Sequence, residues 1–262
     1  MPQTAIPAEI DIERADRVQV IRIRRAAKKN ALTTPMYEAM HVALRAADAT
    51  DDIAATIITG SDGVFTAGND IKDFIAGVEA GEDLHERPVH RFVQYLPEVK
   101  TPLIAAVDGL AIGIGTTLLF HCDLVFATPA ARFSTPFLDL GLVPEAASSL
   151  LAPRRMGDAR AFELLVLGEA FDAGRAREAG LVNRVVAADE LEATARAAAL
   201  RLAAKPPAAL AMARGLMRGP TEEIRARLDT EAQLFSERLR SPEACEAFQA
   251  FLEKRPPDFG RG

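Results

Sequence analysis

The sequence predicts an α/β core with parallel strand pairing, followed by a helical C-terminal region. In the first part of the chain, short apolar runs typical of strands alternate with segments at helical spacing, and this alternation is typical of a parallel sheet. After about residue 189, Ala, Leu, Arg and Glu recur at helical spacing, with breaks only at Pro- and Gly-containing positions. We therefore expect a core over residues 1–200 and a helical region over residues 201–262. Strands are predicted from Val18 and over Ala55–Thr59, Leu103–Val107 and Leu124–Ala127.

The individual elements rest on local signals. From Val18 the run Val-Gln-Val-Ile-Arg-Ile-Arg alternates apolar and polar residues, so a half-buried strand is expected to open the domain. A Thr before Pro35 marks the start of a helix whose periodic apolar residues continue to about Ala47. Further helices are expected from about Gly115 and from Pro144.

Composition and charge exclude several classes of function. The formal net charge is −6, which opposes binding to a polyanion, so no nucleic-acid partner is expected. The two cysteines form no CxxC pair, which indicates neither a disulfide framework nor a zinc site. The apolar stretch 103–120 is interrupted by one Asp and three Gly, so we interpret it as buried core, and no membrane partner is expected. The N-terminus lacks the pattern of a secretory signal, and a cytoplasmic location is expected.

Other catalytic patterns find no support. The four histidines show no HExxH or other tight spacing with acids, so no metal is expected. The serines at 148 and 149 lie outside a GxSxG turn, and neither a GxGxxG nor a GxxxxGK motif occurs, which disfavours a nucleophilic serine, nicotinamide binding and phosphoryl transfer. His121, Cys122 and Asp123 are adjacent, and adjacent side chains on an extended segment point to opposite faces, which disfavours a Cys-His-Asp group.

Two segments place glycine between a strand-like and a helix-like run. They are Phe-Thr-Ala-Gly-Asn-Asp at 65–70 and Gly-Leu-Ala-Ile-Gly-Ile-Gly-Thr at 109–116. At such turns, N–H groups without a helical partner point forward together with the positive end of the helix dipole. Each segment is therefore a candidate anion site, while ordinary turn glycines give the same local pattern.

With their flanking residues, these segments resemble the crotonase (enoyl-CoA hydratase/isomerase) family over nearly the entire chain. The motifs that carry the resemblance are Lys28-Lys-Asn-Ala-Leu32, Phe65-Thr-Ala-Gly-Asn-Asp-Ile71, Thr101-Pro-Leu-Ile-Ala-Ala-Val-Asp-Gly109, Cys122-Asp123, Leu140-Gly-Leu-Val-Pro144, Ala179-Gly-Leu-Val182 and Ala250-Phe-Leu-Glu-Lys-Arg255. The resemblance implies a crotonase-like spiral of ββα turns that binds acyl-CoA, with residues 201–262 taking part in a homotrimer or a dimer of trimers.

The resemblance also implies the composition of the site. The backbone N–H groups of Asn69 and Ile114 would form an oxyanion hole for the thioester, where preorganised donors stabilise an enolate by several kcal/mol. Lys28 or Lys29 would pair with the phosphates of coenzyme A, as would Lys254, including from a neighbouring subunit; the basic run also fits a solvated strand edge. Coenzyme A belongs to the substrate, and no separate cofactor is expected. The substrate-binding residues expected are Lys28, Lys29, Ala67, Gly68, Asp70, Ile71, Gly113, Phe137, Leu142 and Lys254.

The acids decide which reaction is expected. Hydratases of the family use two glutamates, and these positions fall at Thr117 and Phe137, so a two-glutamate hydration is not supported. Glu145 lies where isomerases of the family carry their acid, and the motifs resemble peroxisomal-type Δ3,Δ2-enoyl-CoA isomerases of fatty-acid degradation. One carboxylate suits double-bond migration, since it can take a proton from C2 and return one to C4. Glu145 is therefore expected to be catalytic; alternatively, it only complements a helix dipole after Pro144.

Several alternatives stay open at this point. Asp139 could line up with Phe137 because side chains two apart on an extended segment share a face, which would allow a hydratase, another crotonase-type lyase or a dienoyl-CoA isomerase. A non-catalytic acyl-CoA-binding protein would keep the oxyanion hole without working acids. Burial would raise the pKa of Glu145 and a helix N-terminus would lower it. Acyl specificity is expected to depend on residues 72–100, which Gly77, Gly81 and Pro88 interrupt.

Overall fold

The computed structural model describes residues 6–79 and 86–260. The strands are β1 (Ile10–Ala15), β2 (Val18–Ile23), β3 (Ala55–Thr59), β4 (Leu103–Val107), β5 (Leu110–Ile112), β6 (Leu124–Ala127), β7 (Arg132–Ser134), β8 (Phe171–Asp172) and β9 (Arg184–Val185). The α-helices are α1 (Thr34–Asp48), α2 (Ile71–Glu79), α3 (Pro88–Tyr95), α4 (Ile114–Thr117), α5 (Ser148–Met156), α6 (Asp158–Leu165), α7 (Ala173–Glu178), α8 (Leu191–Ala203), α9 (Pro207–Arg218), α10 (Glu222–Leu239) and α11 (Pro242–Glu253). The predicted α/β class is confirmed.

The larger sheet has the strand order β1-β2-β3-β4-β6-β9. From β2 to β9 all neighbours pair in parallel, as predicted, whereas β1 pairs antiparallel with β2. The prediction that Val18 opens the domain is wrong, because β1 precedes it. The alternation of apolar and polar residues in β2 implies that Gln19 faces solvent, but Gln19 is fully buried. Its amide donates to the Ala43 carbonyl at 3.1 Å.

A repeated ββα unit builds the core. In two successive units, β4 and then β6 join the larger sheet, β5 and then β7 join a smaller sheet, and a helix follows each pair. An isolated parallel bridge between Thr66 and Ala111 places the segment after β3 beside β5 in the same way. This repeat confirms the spiral of ββα turns. It also brings successive strand-to-helix turns side by side.

The core lies on both faces of the central strands. Every residue of β3 and β4 is buried, which is typical of parallel strands that are covered on both sides. On one face, Ala195 and Ala199 of α8 pack against Ile57 and Ile104, and their small side chains let the helix lie close to the sheet. The opposite face belongs to the main core, which includes the fully buried rings of Phe65, Phe92, Phe133 and Phe171.

The helix predicted from Pro144 begins later. α5 starts at Ser148, because Ala146 and Ala147 have positive φ values of 56° and 54° and cannot belong to a right-handed helix. The segment from Pro144 to Ala147 is therefore a turn. Glu145 lies in this turn rather than in a first helical turn, so the interpretation of Glu145 as a simple helix-dipole partner is wrong.

From Leu191 the described chain continues in helices α8 to α11, which confirms the helical spacing predicted after about residue 189. Of these helices, α8 packs against the larger sheet, and α9 to α11 lie within residues 201–262. On α9, three large apolar side chains are exposed: Met212 at 70%, Leu216 at 87% and Met217 at 88%. No helix in the described ranges is both long enough and apolar enough to cross a membrane.

Candidate active site

Two glycine-containing turns run in parallel along one side of the cavity described below. The Thr66 amide donates to the Leu110 carbonyl at 2.8 Å, and the Ile112 amide donates to the Thr66 carbonyl at 3.0 Å. Counting forward from the bridge between Thr66 and Ala111, Asn69 and Ile114 occupy equivalent positions, each three residues beyond it. The repeat of the fold therefore aligns the two predicted oxyanion-hole residues.

Their N–H groups are available to a ligand. Within residues 6–79 and 86–260, neither the Asn69 nor the Ile114 N–H donates to a protein acceptor. Ile114 is the first residue of α4, and the first N–H groups of a helix have no intrahelical partner. Gly113 before it has φ 57° and ψ −121°, a conformation that glycine alone adopts easily. The two donors are thus preorganised by backbone geometry, independently of their side chains.

The Asn69 side chain has a separate contact. Tyr37 lies on α1, is buried, and donates its hydroxyl hydrogen to Asn69 Oδ1. Burial is the main cause that raises the pKa of Tyr37 well above its usual value, and the charge of Glu145 adds to it. Tyr37 therefore stays neutral, and it lies close enough to Glu145 to sense its charge.

A cavity of about 560 Å³ opens beside both donors. Most of its lining is apolar, and Glu145 contributes a carboxylate that is only partly exposed. The predicted site residues that line it are Lys29, Ala67, Asn69, Ile71, Gly113, Ile114, Phe137, Leu142 and Glu145. An apolar cleft with a few convergent polar groups is the usual form of a small-molecule site.

Burial dominates the proton affinity of Glu145. It raises the pKa of Glu145 from the ordinary 4.5 to about 8, although a hydrogen bond from the Thr117 hydroxyl to Glu145 Oε1 favours the ionised form. The nearby charge of Glu231 raises the pKa further. The sequence left open whether burial or a helix N-terminus would prevail. Burial prevails, because α5 starts three residues after Glu145 and the Glu231 carboxylate accepts the Ala147 and Ser149 N–H groups at the N-terminus of this helix.

Residues 13–262 match the enoyl-CoA hydratase/isomerase family. The chain belongs to this family.

Individual relatives span both activities. The chain is 35% identical to the probable enoyl-CoA hydratase echA8 of Mycobacterium leprae, over 93% of this chain and 94% of the relative. It is 34% identical to enoyl-CoA delta isomerase 2 of Rattus norvegicus, over 90% of this chain and 61% of the relative. A crystal structure of an enoyl-CoA hydratase/isomerase from Pseudoalteromonas atlantica T6c superimposes with a TM-score of 0.90 at 40% identity, covering 96% of this chain and 100% of that one. The chain is therefore a crotonase-family enzyme, and family membership alone does not distinguish hydration from isomerisation.

The basic residues of this enoyl-CoA hydratase/isomerase family member divide into two groups. Arg25 is paired with Asp70 at 2.7 Å, and Asp70 also accepts hydrogen bonds at the start of α2, so Asp70 supports the turn that carries Asn69 from outside the cavity. Lys28 and Lys29 are exposed, and neither forms an ion pair within the described residues. Lys254 is exposed at the end of α11 and, like Lys28, Gly68 and Asp70, is not among the residues that line the cavity.

The neighbouring residues His121, Cys122 and Asp123, which the sequence disfavours as a catalytic group, have structural roles. His121 is buried, its Nε2 lies 2.8 Å from the Ala146 carbonyl oxygen, and burial lowers its pKa to about 4. Burial likewise raises the pKa of Cys122 to about 12, and Asp123 is held by Arg214 at 2.9 Å. No cluster of metal-binding side chains occurs among the described residues. A second cavity of about 500 Å³ lies around Asp123 and Arg214, but neither Asn69 nor Ile114 lines it.

Several residues of the site were missed in the sequence. Phe235, Phe248 and Phe251 from the C-terminal helices line the cavity, whereas no described residue from 72 to 100 does, and Gly81 lies outside the described residues. Tyr37 lies within an apolar helical pattern that predicts only core packing. Its phenol hydroxyl, placed among aliphatic positions, was the available signal for a polar contact. The signal for Thr117 was its family position, where a hydroxyl group stands in place of a hydratase glutamate and donates a hydrogen bond to Glu145.

The Thr117 hydrogen bond has a measurable consequence. We expect Thr117→Val to move the acid limb of the kcat/KM pH profile to higher pH, because the lost hydroxyl donor no longer stabilises the ionised Glu145. Thr117→Ser keeps the donor and is the matched control, with a limb near that of the wild type. A limb that stays in place in Thr117→Val would mean that Glu145 is not the titrating group.

Proposed function

We propose that the protein is a Δ3,Δ2-enoyl-CoA isomerase that acts in the degradation of fatty acids or related acyl-CoA compounds. The observation that carries this proposal is which carboxylates line the cavity and how exposed they are. Glu145 is the cavity carboxylate that is withdrawn from solvent, and Thr117 and Phe137 stand where the family's hydratases carry their two glutamates. A single shielded carboxylate is suited to moving one proton between two carbons.

The proposed reaction begins with ionised Glu145. The carboxylate takes a proton from C2 of a 3-enoyl-CoA, and the electrons of that C–H bond form a dienolate. The dienolate oxygen accepts hydrogen bonds from the Asn69 and Ile114 N–H groups. Protonated Glu145 then delivers the proton to C4, the double bond settles between C2 and C3, and the carboxylate is regenerated. Since the proton is returned, the reaction needs no cofactor besides the coenzyme A of the substrate.

The pKa of Glu145 suits the proposed proton transfer. A base with a pKa near the working pH is both ionised often enough to accept a proton and strong enough to remove one, and Glu145 has a pKa of about 8. The thioester makes the C2 proton more acidic, and two preorganised backbone donors add several kcal/mol of enolate stabilisation in a cavity with a mostly apolar lining. We expect kcat/KM to rise with pH through about 8.

A paired assay tests the proposal. The protein is offered a 3-enoyl-CoA and a 2-enoyl-CoA, and double-bond migration and water addition are followed separately. We expect migration to be the faster reaction by at least about tenfold. Hydration that outpaces migration would overturn the proposal. Tight binding of acyl-CoA without any exchange of the α-proton in deuterated water would instead favour a non-catalytic binding protein.

Hydration is the second candidate function. Two observations favour it: curated relatives such as the one from Mycobacterium leprae carry hydratase names, and Asp139 also lines the cavity. Asp139 is exposed, which makes it a weaker candidate for a tuned acid than Glu145. Asp139→Asn separates the candidates, because a two-acid hydratase would lose its reaction in this variant and a one-acid isomerase would not.

We also propose that Lys28 and Lys29 bind the phosphates of coenzyme A. Both are exposed, form no ion pair within the described residues, and flank the cavity through Lys29. We expect the double substitution Lys28→Ala/Lys29→Ala to raise KM about 2- to 10-fold with kcat unchanged, and the effect to shrink at high salt. Arg24→Ala, which removes an exposed cation paired with Asp11, is the control. An unchanged KM in the double variant would exclude this phosphate site.

We further propose that the protein forms a homotrimer, or a dimer of trimers, through its helical C-terminal region. The exposed apolar side chains Met212, Leu216 and Met217 on α9 support a contact between copies, because soluble proteins rarely leave such a cluster in water. Molar mass in solution tests this. We expect a multiple of three chains for the wild type and smaller species for Leu216→Glu; a monomeric wild type would contradict the proposal.

A further inference from the structure

The turn that carries Glu145 has a backbone that needs external support. Ala146 and Ala147 both adopt left-handed conformations, with φ values of 56° and 54°. Each costs about 1–2 kcal/mol for a residue with a Cβ atom, and no glycine in the turn relieves this cost. Contacts from other elements must therefore hold Glu145 against the cavity.

Two buried side chains provide these contacts. His121 lies with Nε2 2.8 Å from the Ala146 carbonyl oxygen. Glu231 reaches in from α10: its Oε2 accepts the Ala147 N–H at 2.6 Å, and its Oε1 accepts the Ser149 N–H at 3.0 Å and the Ser149 hydroxyl at 2.5 Å. Both ends of the strained turn are thereby fixed from outside it.

Glu231 acts as the helix cap that the local sequence lacks. The N-cap residue of α5 is Ala147, which has no side-chain acceptor, and the first turn of α5 contains no acid. The carboxylate that fills this position comes from a residue 84 positions away in the chain. A cap contributes about 1 kcal/mol in most helices, so capping alone does not require a charged group that is 95% buried.

We propose that Glu231 is a positioning residue, which fixes the Glu145 turn at the cavity and places a second buried carboxylate near that of Glu145. This inference rests on the proposed role of Glu145 as the catalytic base. Burial raises the pKa of Glu231, while its three hydrogen-bond donors and the charge of Arg227 favour the ionised form. Arg227 supports the same network by donating to the Ser149 hydroxyl oxygen at 3.0 Å.

The charged environment of Glu145 identifies Glu231 as the group to vary. Beside burial, the causes that set the pKa of Glu145 are the Thr117 hydroxyl, which lowers it, and the charge of Glu231, which raises it. Tyr37 stays neutral and faces the same region. The remaining titratable and charged groups around the cavity and Tyr37 are Lys29, Asp73, Arg87, Asp139 and Arg255, with His121 behind the turn.

Two substitutions separate charge from position. Glu231→Gln removes the charge and turns one acceptor into a donor that faces an N–H group. Glu231→Asp keeps the charge but is one methylene too short to reach both Ala147 and Ser149. Glu237→Gln is the matched control, because it neutralises an exposed glutamate on the same helix.

The titration of Glu145 is followed by carbon-13 NMR of labelled glutamate carboxyls in the intact protein, with the signal assigned by its loss in Glu145→Gln. We expect Glu231→Gln to lower the pKa of Glu145 and to reduce kcat about 10- to 100-fold through misplacement of the base. Glu231→Asp is expected to reduce kcat with the pKa still elevated, and Glu237→Gln to change neither.

A Glu231→Gln protein whose Glu145 pKa and kcat both match those of Glu237→Gln overturns the inference. If Glu231→Gln does not fold, Glu231→Asp decides, and full kcat in that variant overturns the inference. The NMR titration needs no turnover. A protein that fails to move double bonds but shows the expected pKa change would therefore contradict the proposed isomerase function and leave the positioning role of Glu231 supported.

Discussion

Glu145→Gln is expected to lower the rate of double-bond migration about 10²- to 10⁴-fold, the range that a positioned acid–base group contributes. Gln has nearly the same shape and can still accept the Thr117 hydroxyl hydrogen bond, but its neutral amide cannot take a proton from C2. KM should change little, because the cavity contacts and the oxyanion donors remain. The measurement is kcat and KM for a 3-enoyl-CoA at a pH near 8.

Stability provides an internal check on the same variant. The pKa of Glu145 is about 8 in the folded protein and about 4.5 in an unfolded chain, so its ionisation weakens the folded state progressively as pH rises from about 4.5 through 8. Gln does not ionise. We therefore expect the melting temperature of Glu145→Gln to rise relative to that of the wild type as pH increases. A variant that is at least as stable as the wild type at the assay pH does not lose its activity by unfolding.

The matched control is Asp139→Asn, which removes the second carboxylate among the described residues that line the cavity. We expect its migration rate to stay within about threefold of the wild type, since Asp139 is exposed and a proton held by an exposed carboxylate can be lost to water before it is returned to C4. Equal losses in both variants would point to two acids and hence to hydration. An undiminished rate in Glu145→Gln would remove Glu145 from the mechanism.

The strands and the family were accessible from sequence because their signals are local. The apolar runs at Ala55–Thr59 and Leu103–Val107 are buried on both faces, so hydrophobicity alone marks them. Gln19 shows the limit of this approach: it sits inside because the Ala43 carbonyl offers its amide a partner from α1, and such a partner is invisible to a count of polar residues. β1 was missed because only three of its six residues are apolar.

The site was predictable where backbone geometry sets it and unpredictable where long-range contacts do. Glycines at 68 and 113 mark turns with positive φ, and the resemblance to the family assigned the N–H groups of Asn69 and Ile114 within these turns. The Glu145 turn was misjudged as a helix start, because two left-handed alanines have no sequence signature and are held by His121 and Glu231 from elsewhere in the chain. The lining of the cavity by Phe235, Phe248 and Phe251 likewise depends on how α10 and α11 fold back.

Gly68→Ala is expected to reduce kcat about 10²- to 10³-fold, the loss that follows removal of one oxyanion donor. Gly68 has a φ of 85°, and a Cβ atom at this position would lie 2.7 Å from the carbonyl oxygen of Ile112. This contact is too short, and the atom it meets is backbone, so one of the two parallel turns must shift. Either shift changes the distance between the Asn69 and Ile114 N–H groups, which have to converge on one oxygen.

The loss should appear in kcat rather than in KM, because the oxyanion donors act on charge that develops only as the C2 proton leaves. Gly219→Ala is the matched control: Gly219 has a φ of 69° and lies after α9, but a Cβ atom there meets nothing within 4 Å. It therefore carries similar backbone strain away from the cavity, and we expect lower stability with full kcat. If Gly68→Ala keeps a kcat close to that of Gly219→Ala, the Asn69 N–H does not hold the enolate, and the thioester must be polarised by other groups.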